Sequence, residues 1–251
     1  MPSQFGNCSS LNVLNVANNS FEGRIPAELG KLKKLEVLHM NDNSLSGQIP
    51  SSLQNCTMLQ ILDLSRNGLS GKVPGWIASL SNLRILVLRS DNLEGEIPIQ
   101  IGYLQELQIL DLAMNHLSGP IPRQLSQLSI MKNEYFTRSL STDFRYGPYY
   151  YKDEIYLTEK GHEWAYTKID LWTDTYMDLS ANNLTGDIPE EFGSLKGLRT
   201  LNLSNNHLGG NIPEEFAKMV ELETLDLSCN ELQGRIPATL AELTFLASLN
   251  L

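Results

Sequence analysis

A spacing of 24 residues governs this chain. Leu11, Leu35, Leu59, Leu83 and Leu107 each open a unit of one pattern, and Asp174, Leu198, Leu222 and Leu246 resume it at the same interval. From Leu107 to Asp174 the interval is 67, one period plus 43. The register therefore survives a 43-residue insertion, which separates what the repeat dictates from what the insertion adds.

The unit opened by Leu59 shows the pattern in full: Leu59, Leu62, Leu64, Asn67, Leu69, Gly71, Val73 and Pro74, or L-x-x-L-x-L-x-x-N-x-L-x-G-x-I-P. This is leucine-rich-repeat spacing. It predicts an α/β-type repeat solenoid, a superhelix with one parallel β-strand per 24-residue unit, interrupted by an island insertion. No unit buries its own leucines, so stability comes from stacking on neighbours. The L-x-L alternation supplies the strand, with both leucines inward. Strands at ~4.8 Å spacing would build a face on the order of 40 Å long. Residues 1–130 hold a partial unit and five full ones, 131–173 the insertion, and 174–251 three full units and a truncated one.

The other columns have mechanical explanations. Asn19, Asn43, Asn67, Asn115, Asn182, Asn206 and Asn230 follow the strand, where an amide can donate to and accept from neighbouring backbone. The glycine column, such as Gly71, marks a tight turn or a positive φ. Asp91 stands on this ladder where asparagine is expected. A carboxylate accepts but cannot donate, so Asp91 is either protonated or its turn is loosened.

A net charge of −10 argues against nucleic acid or an anionic membrane as partner. No apolar run reaches the ~18–20 residues of a membrane span, and no signal peptide opens the sequence. Both ends fall within a repeat, without the polar caps that solenoids need. The expectation is an internal piece of a longer protein or a truncated gene model, and membrane attachment only through a segment outside this chain. Cys8 and Cys56 share one repeat position and are expected as small buried hydrophobes, too far apart for a disulfide. Cys229 is expected as a free thiol near the concave face. Sequons at Asn7, Asn18, Asn55, Asn183 and Asn202 lean toward a secreted, glycosylated chain.

The insertion, Met131 to Thr173, holds 11 of the 19 aromatics. Its first half, through Arg145-Tyr146-Gly147-Pro148 and the tyrosine triplet, has no clear period and is expected as a loop. Its second half reads as a hairpin: Ile155 to Thr158 alternates, Glu159-Lys160-Gly161-His162 turns, and Trp164, Tyr166 and Thr167 resume extended propensity. The aromatics either form a satellite core that docks the insertion or remain exposed for recognition; both can hold at once.

The unit N-x-L-x-G-x-I-P-x-x-L/F-G-x-L resembles that of plant extracellular leucine-rich-repeat receptors. The insertion resembles the island of receptor-like proteins and of the brassinosteroid and phytosulfokine receptor kinases. Thr158-Glu159-Lys160-Gly161-His162-Glu163-Trp164-Ala165-Tyr166, leading into Met177-Asp178-Leu179-Ser180, carries that likeness. The resemblance implies an ectodomain on the extracellular side of the plasma membrane, in defence or developmental signalling. It would bind a peptide, steroid or microbial protein and work with a leucine-rich-repeat co-receptor kinase. Two alternatives are a soluble inhibitor of the polygalacturonase-inhibiting type, whose members lack an island, and a nonfunctional truncated copy.

Outward positions on the strand face are expected at His39, Asn41, Asp42, Asp63, Arg66, Val87, Arg89, Asp111 and Met114. Arg66 and Arg89 fall on adjacent strands in nearly one column and could hold a ligand carboxylate, unless Asp42, Asp63 or Asp111 neutralises them. With Tyr156, Lys160, Trp164, Tyr166, Tyr176 and Asp178 they form the candidate ligand-binding set. The recurring aspartates Asp63, Asp111, Asp178 and Asp226 also read as ordinary repeat residues. The four histidines are scattered, and no metal-ligand spacing, nucleophile elbow or phosphate loop occurs. The chain reads as no enzyme and needs no cofactor.

Overall fold

The computed structural model describes residues 2–134, 155–159, 162–166 and 174–251. A nine-stranded parallel sheet runs from Val13–Asn15 through Val37–His39, Ile61–Asp63, Ile85–Val87, Ile109–Asp111, Tyr176–Asp178, Thr200–Asn202 and Thr224–Asp226 to Ser248–Asn250. Partners lie 24 residues apart, as in Leu38 with Leu62, until Leu110 pairs with Met177 across the insertion. The repeat solenoid expected from the spacing is the fold observed.

Each rung makes the same circuit. The strand's central residue, a leucine on every strand but that of Met177, turns inward, as do Leu64 and its equivalents two residues on, and from Leu38 to Leu227 they are fully buried. Full burial of a leucine is worth roughly 2 kcal/mol. The chain then passes a corner where a non-glycine residue takes positive φ, for example Arg66 at 54° and Met114 at 56°. A second parallel sheet of seven short strands follows, from Glu22–Arg24 to His207–Gly209. Its glycines, such as Gly71 at φ 82°, adopt the left-handed region that the pattern called for. The Ile-Pro or Val-Pro step then leads into a five-residue 3₁₀ turn, as in Ser51–Asn55 after Pro50. The proline there has no N–H to leave unpaired.

The asparagine ladder binds one rung to the next. Asn67 Nδ2 donates to the carbonyls of Met40, Leu64 and Ser65 at 2.9–3.0 Å, and its Oδ1 accepts the Leu45 amide at 3.0 Å. Asn182 makes the same set across the insertion, donating to Leu112 O, 70 residues earlier, at 3.0 Å. At Asp91, Oδ1 accepts the Leu69 amide, whereas Oδ2 is buried with no partner.

Cys56 is buried and its thiol meets Leu29 O at 3.4 Å. Cys8, expected to be buried like it, is exposed. Among the described residues no carbonyl stands against the Cys8 thiol as Leu29 O stands against that of Cys56. Among the described residues no helix is long and apolar enough to cross a membrane.

Candidate functional site

The expected hairpin is present: Ile155–Glu159 pairs antiparallel with His162–Tyr166, from Ile155 opposite Tyr166 to Glu159 opposite His162. Ile155 and Leu157 are fully buried, while Tyr156 between them is 37% exposed. This alternation follows from the two-residue period of a strand. The two aliphatic side chains pack on a column of outward residues, Val37, Ile61, Ile85 and Ile109, with Val87 and Tyr176. These form an apolar cluster separate from the main core. The hairpin is thus seated on the strand face before the insertion.

Several positions expected to face solvent are therefore buried: His39, Asn41, Asp63, Val87, Arg89 and Asp111. Outwardness on a strand gives exposure only where nothing packs over the sheet. Asp42, Arg66 and Met114 keep access. Arg66 and Arg89 each meet an acidic neighbour, the alternative weighed from the sequence. They are 23 residues apart, one short of the period, so Arg66 occupies the positive-φ corner and Arg89 the position before the equivalent corner at Ser90. Arg66 lies 3.6 Å from Asp42, half-exposed, and buried Arg89 donates from Nη1 to Asp111 Oδ2 at 3.1 Å.

After the insertion the same outward column changes character, from Ile109 and Tyr176 to Thr200, Thr224 and Ser248. The next column reads Asp178, Asn202, Asp226 and Asn250. Here the face carries a groove of about 310 Å³, with buried Thr200 and Thr224 in its floor, lined further by Asp178, Asn202, Asp226 and Asn250 and by Arg89, Met114, Ser204 and Ser228. Most of its polar groups are linked. Asp178 Oδ1 accepts the Ser180 amide at 2.9 Å, and Oδ2 accepts Tyr176 OH at 2.9 Å and Asn202 Nδ2 at 3.3 Å. Asp226 holds the Ser228 hydroxyl at 2.6 Å and the Asn250 amide at 2.9 Å. The latter pair is the more accessible.

At the groove's inner end, Arg89, Asp111, Tyr176 and Asp178 form a buried charged cluster. Burial pushes Asp111 up to about 7, against the pull of Arg89, and the nearby Asp178 carboxylate adds to the rise. Burial likewise raises Asp178, and it raises the Tyr176 hydroxyl well above its usual value. A single guanidinium beside two buried carboxylates favours one shared proton over two full charges.

Of the candidate set, Arg89, Tyr176 and Asp178 come together in this cluster, Tyr156 lies on the hairpin's outer side, and Arg66 stands apart at its corner. Lys160 lies outside the described residues, as do the first half of the insertion and Thr167; of Trp164 and Tyr166 only the backbone pairing is described. Asn7, Asn18, Asn55 and Asn183 are exposed, whereas Asn202 is half-buried in the groove. Sequence reasoning passed over Thr200, Thr224 and Asn250 and set Asp111 and Asp226 aside as repeat residues. The available signal was the change from aliphatic to hydroxyl residues along one column at 24-residue spacing.

Among the described residues no group of three or more His, Cys, Asp or Glu could hold a metal ion. The accessible groups at the groove's edge are amide, hydroxyl and carboxylate.

The family model described as Leucine Rich Repeat matches residues 10–32, 34–56, 58–80, 106–128, 175–195, 197–219 and 221–243, and the chain belongs to that family. The unmatched rung between 80 and 106 is the one that carries Asp91. A search of the curated proteins finds no match. Among solved structures, the chain is similar to a TDR receptor, with TM-score 0.81 and 28% identity over 100% of this chain and 36% of that one. It is also similar to the Arabidopsis receptor kinase HAESA, solved with the peptide hormone IDA and the co-receptor SERK1. There the TM-score is 0.79, with 31% identity over 100% of this chain and 35% of that one. A plant ice-binding protein matches with TM-score 0.64 and 25% identity over 98% and 75% of the two chains. The chain spans about a third of the length of the receptor chains. It resembles their ectodomains, a non-catalytic domain type.

Proposed function

We propose that this chain is the ligand-recognising part of the ectodomain of a plant cell-surface receptor, a receptor-like protein or receptor kinase, acting in defence or developmental signalling. The ligand is a peptide or an extended protein segment, held in the groove beyond the insertion, and a leucine-rich-repeat co-receptor kinase completes the signalling pair. One observation carries this reading: the outward column changes from Val37, Ile61, Ile85 and Ile109, packed with the hairpin, to Thr200 and Thr224, which form the buried floor of a groove edged by the more accessible Asn202, Asn205, Asp226, Ser228 and Asn250. A groove edged by accessible amide, hydroxyl and carboxylate groups suits the alternating donors and acceptors of a peptide backbone better than the apolar skeleton of a steroid. The likeness to HAESA in its complex with IDA and SERK1 supports the same class of ligand and partner.

An ice-binding role draws little support from the outer sheet, whose exposed positions include Glu22, Lys72 and Glu94. The inhibitor reading is weakened by the hairpin, which packs Ile155 and Leu157 on the concave face. The test is affinity capture from the peptide fraction of plant extracellular wash fluid, with the wild-type chain beside a Ser228→Trp variant whose groove is filled. Peptides enriched on the wild type and lost on the variant are expected. Equal recovery from both, or inhibition of a fungal polygalacturonase with no peptide retained, overturns the proposal.

A further inference from the structure

The five sequons are equivalent in sequence and sharply unequal in the fold. Asn7 and Asn55 end the 3₁₀ turns Ser3–Asn7 and Ser51–Asn55 on the back of the solenoid. Asn18 occupies an exposed corner at φ 54°, and Asn183 opens the outer strand Asn183–Asp187. All four are exposed, and their side chains make no hydrogen bond within the described structure. The hydroxyl residues that complete their sequons, Ser9, Ser20, Thr57 and Thr185, are exposed as well.

Asn202 differs in every respect. Its Nδ2 donates to Asp178 Oδ2 at 3.3 Å. Its Oδ1 accepts both the Ser204 amide at 3.1 Å and the Ser204 hydroxyl at 2.7 Å. Both ends of the amide are therefore engaged, and Ser204, the third residue of the sequon, is only 4% exposed. A sugar on Nδ2 would stand in the groove and leave that nitrogen a single N–H, which would have to be turned toward buried Asp178 with the sugar packed beside it.

We infer that Asn7, Asn18, Asn55 and Asn183 are sites of N-linked glycosylation, and that the sequon at Asn202 stays bare because the fold consumes its amide and its hydroxyl. The inference rests on the proposed extracellular destination. In the transfer, asparagine Nδ2 bonds to the anomeric carbon of an oligosaccharide carried on a lipid diphosphate. The bond from that carbon to the diphosphate oxygen breaks, the lipid diphosphate leaves, and the amide gives up one proton. Transfer precedes the completion of folding, so the fold acts as a filter: in chains modified at Asn202 the sugar crowds the contacts that Asn202 makes with buried Asp178 and Ser204, and those chains fail to mature. None of the four modified positions lines the groove. Sugar then covers the back and the outer sheet while the proposed recognition face stays clear.

The test is secretion of the full chain from plant cells behind a supplied signal peptide, followed by enzymatic release of the glycans in heavy-oxygen water and peptide mass spectrometry. Label at Asn7, Asn18, Asn55 and Asn183, with none at Asn202, is expected in the secreted protein. Label at Asn202, or its absence from the other four, overturns the inference. If the chain is retained in the cell, occupancy in the fraction that survives limited proteolysis gives the same two outcomes. Because the leader is supplied, the result does not depend on the natural route; failure of the peptide capture would count against the receptor reading alone.

Discussion

Asp91 Oδ1 accepts the Leu69 amide at 2.9 Å, as an asparagine oxygen does on the neighbouring rungs, while Asp91 Oδ2 faces the interior without a partner. On the preceding rung the corresponding atom is Asn67 Nδ2, which donates to three carbonyls. Burial pushes the Asp91 carboxyl up to about 8, so at neutral pH it is held largely as the acid. Asp91→Asn restores the donor at nearly constant volume. It should stabilise the fold by about 1–3 kcal/mol, the usual cost of an unsatisfied buried polar group. A chemical-denaturation midpoint that stays level or falls would sink this assignment.

The direction of pH dependence follows from the same group. A carboxyl whose folded value lies above its unfolded value contributes stability that is complete below the ordinary carboxylate range and lost as pH rises through the folded value. For Asp91 that loss runs from about 4 to about 8, and for Asp111 to about 7. Thermal midpoints of the wild type should therefore decline from pH 5 to pH 8. Asp91→Asn should flatten the curve, leaving a smaller decline from Asp111. Superimposable pH profiles for the two proteins would contradict it.

The two arginines once paired by their near-coincidence in the repeat should separate cleanly on mutation. Arg89→Met leaves buried Asp111 without its guanidinium and should destabilise by about 3–5 kcal/mol. Arg66→Met removes a half-exposed contact with Asp42 and should change stability by less than about 1 kcal/mol. Equal effects in a denaturant titration would mean that Arg89 is not the buried partner described.

Glycines in this fold serve two different needs. A Cβ at Gly102 would collide with the Gln124 carbonyl oxygen of the next turn, whereas one at Gly23, with φ +83°, would meet nothing within 4 Å. Gly102→Ala should thus cost about 3 kcal/mol from overpacking. Gly23→Ala should cost only the left-handed strain of about 1–2 kcal/mol. The opposite ranking by denaturation would argue against the close stacking of the 3₁₀ turns.

Leu157 ties the hairpin to Val37, Ile61, Ile85 and Ile109 without belonging to the main core. Leu157→Asp should release the hairpin, exposing the amides of 155–159 and 162–166 to rapid hydrogen exchange, and leave the solenoid's own protection in place. Loss of protection at Leu110 in the same variant would show that the two clusters are one cooperative unit.

What was legible in the sequence was whatever repeats. The leucines, the ladder asparagines and the positive-φ glycines recur every 24 residues because each rung solves the same packing problem, so a single unit predicts the rest. The hairpin was legible for a related reason, the alternation of Ile155, Tyr156 and Leu157. The exposure of the concave face was not. His39, Asp63 and Arg89 sit at outward positions, yet nothing local to them reveals that the sheet before the insertion is covered. Of the groove, Asp178, Asn202 and Asn205 were legible as outward residues after the insertion, whereas Thr200 and Thr224 are unremarkable singly and informative only beside Ile85 and Ile109 in the same column.

Leu110 pairs with Met177, and Asn182 reaches back to the Leu112 carbonyl, so the rungs on either side of the insertion are joined as fully as any others. The peptide chain that links them is therefore not what holds them together. A protease cut between Asn133 and Asp174 would produce two polypeptides on a denaturing gel that still travel, melt and bind as one body in native buffer.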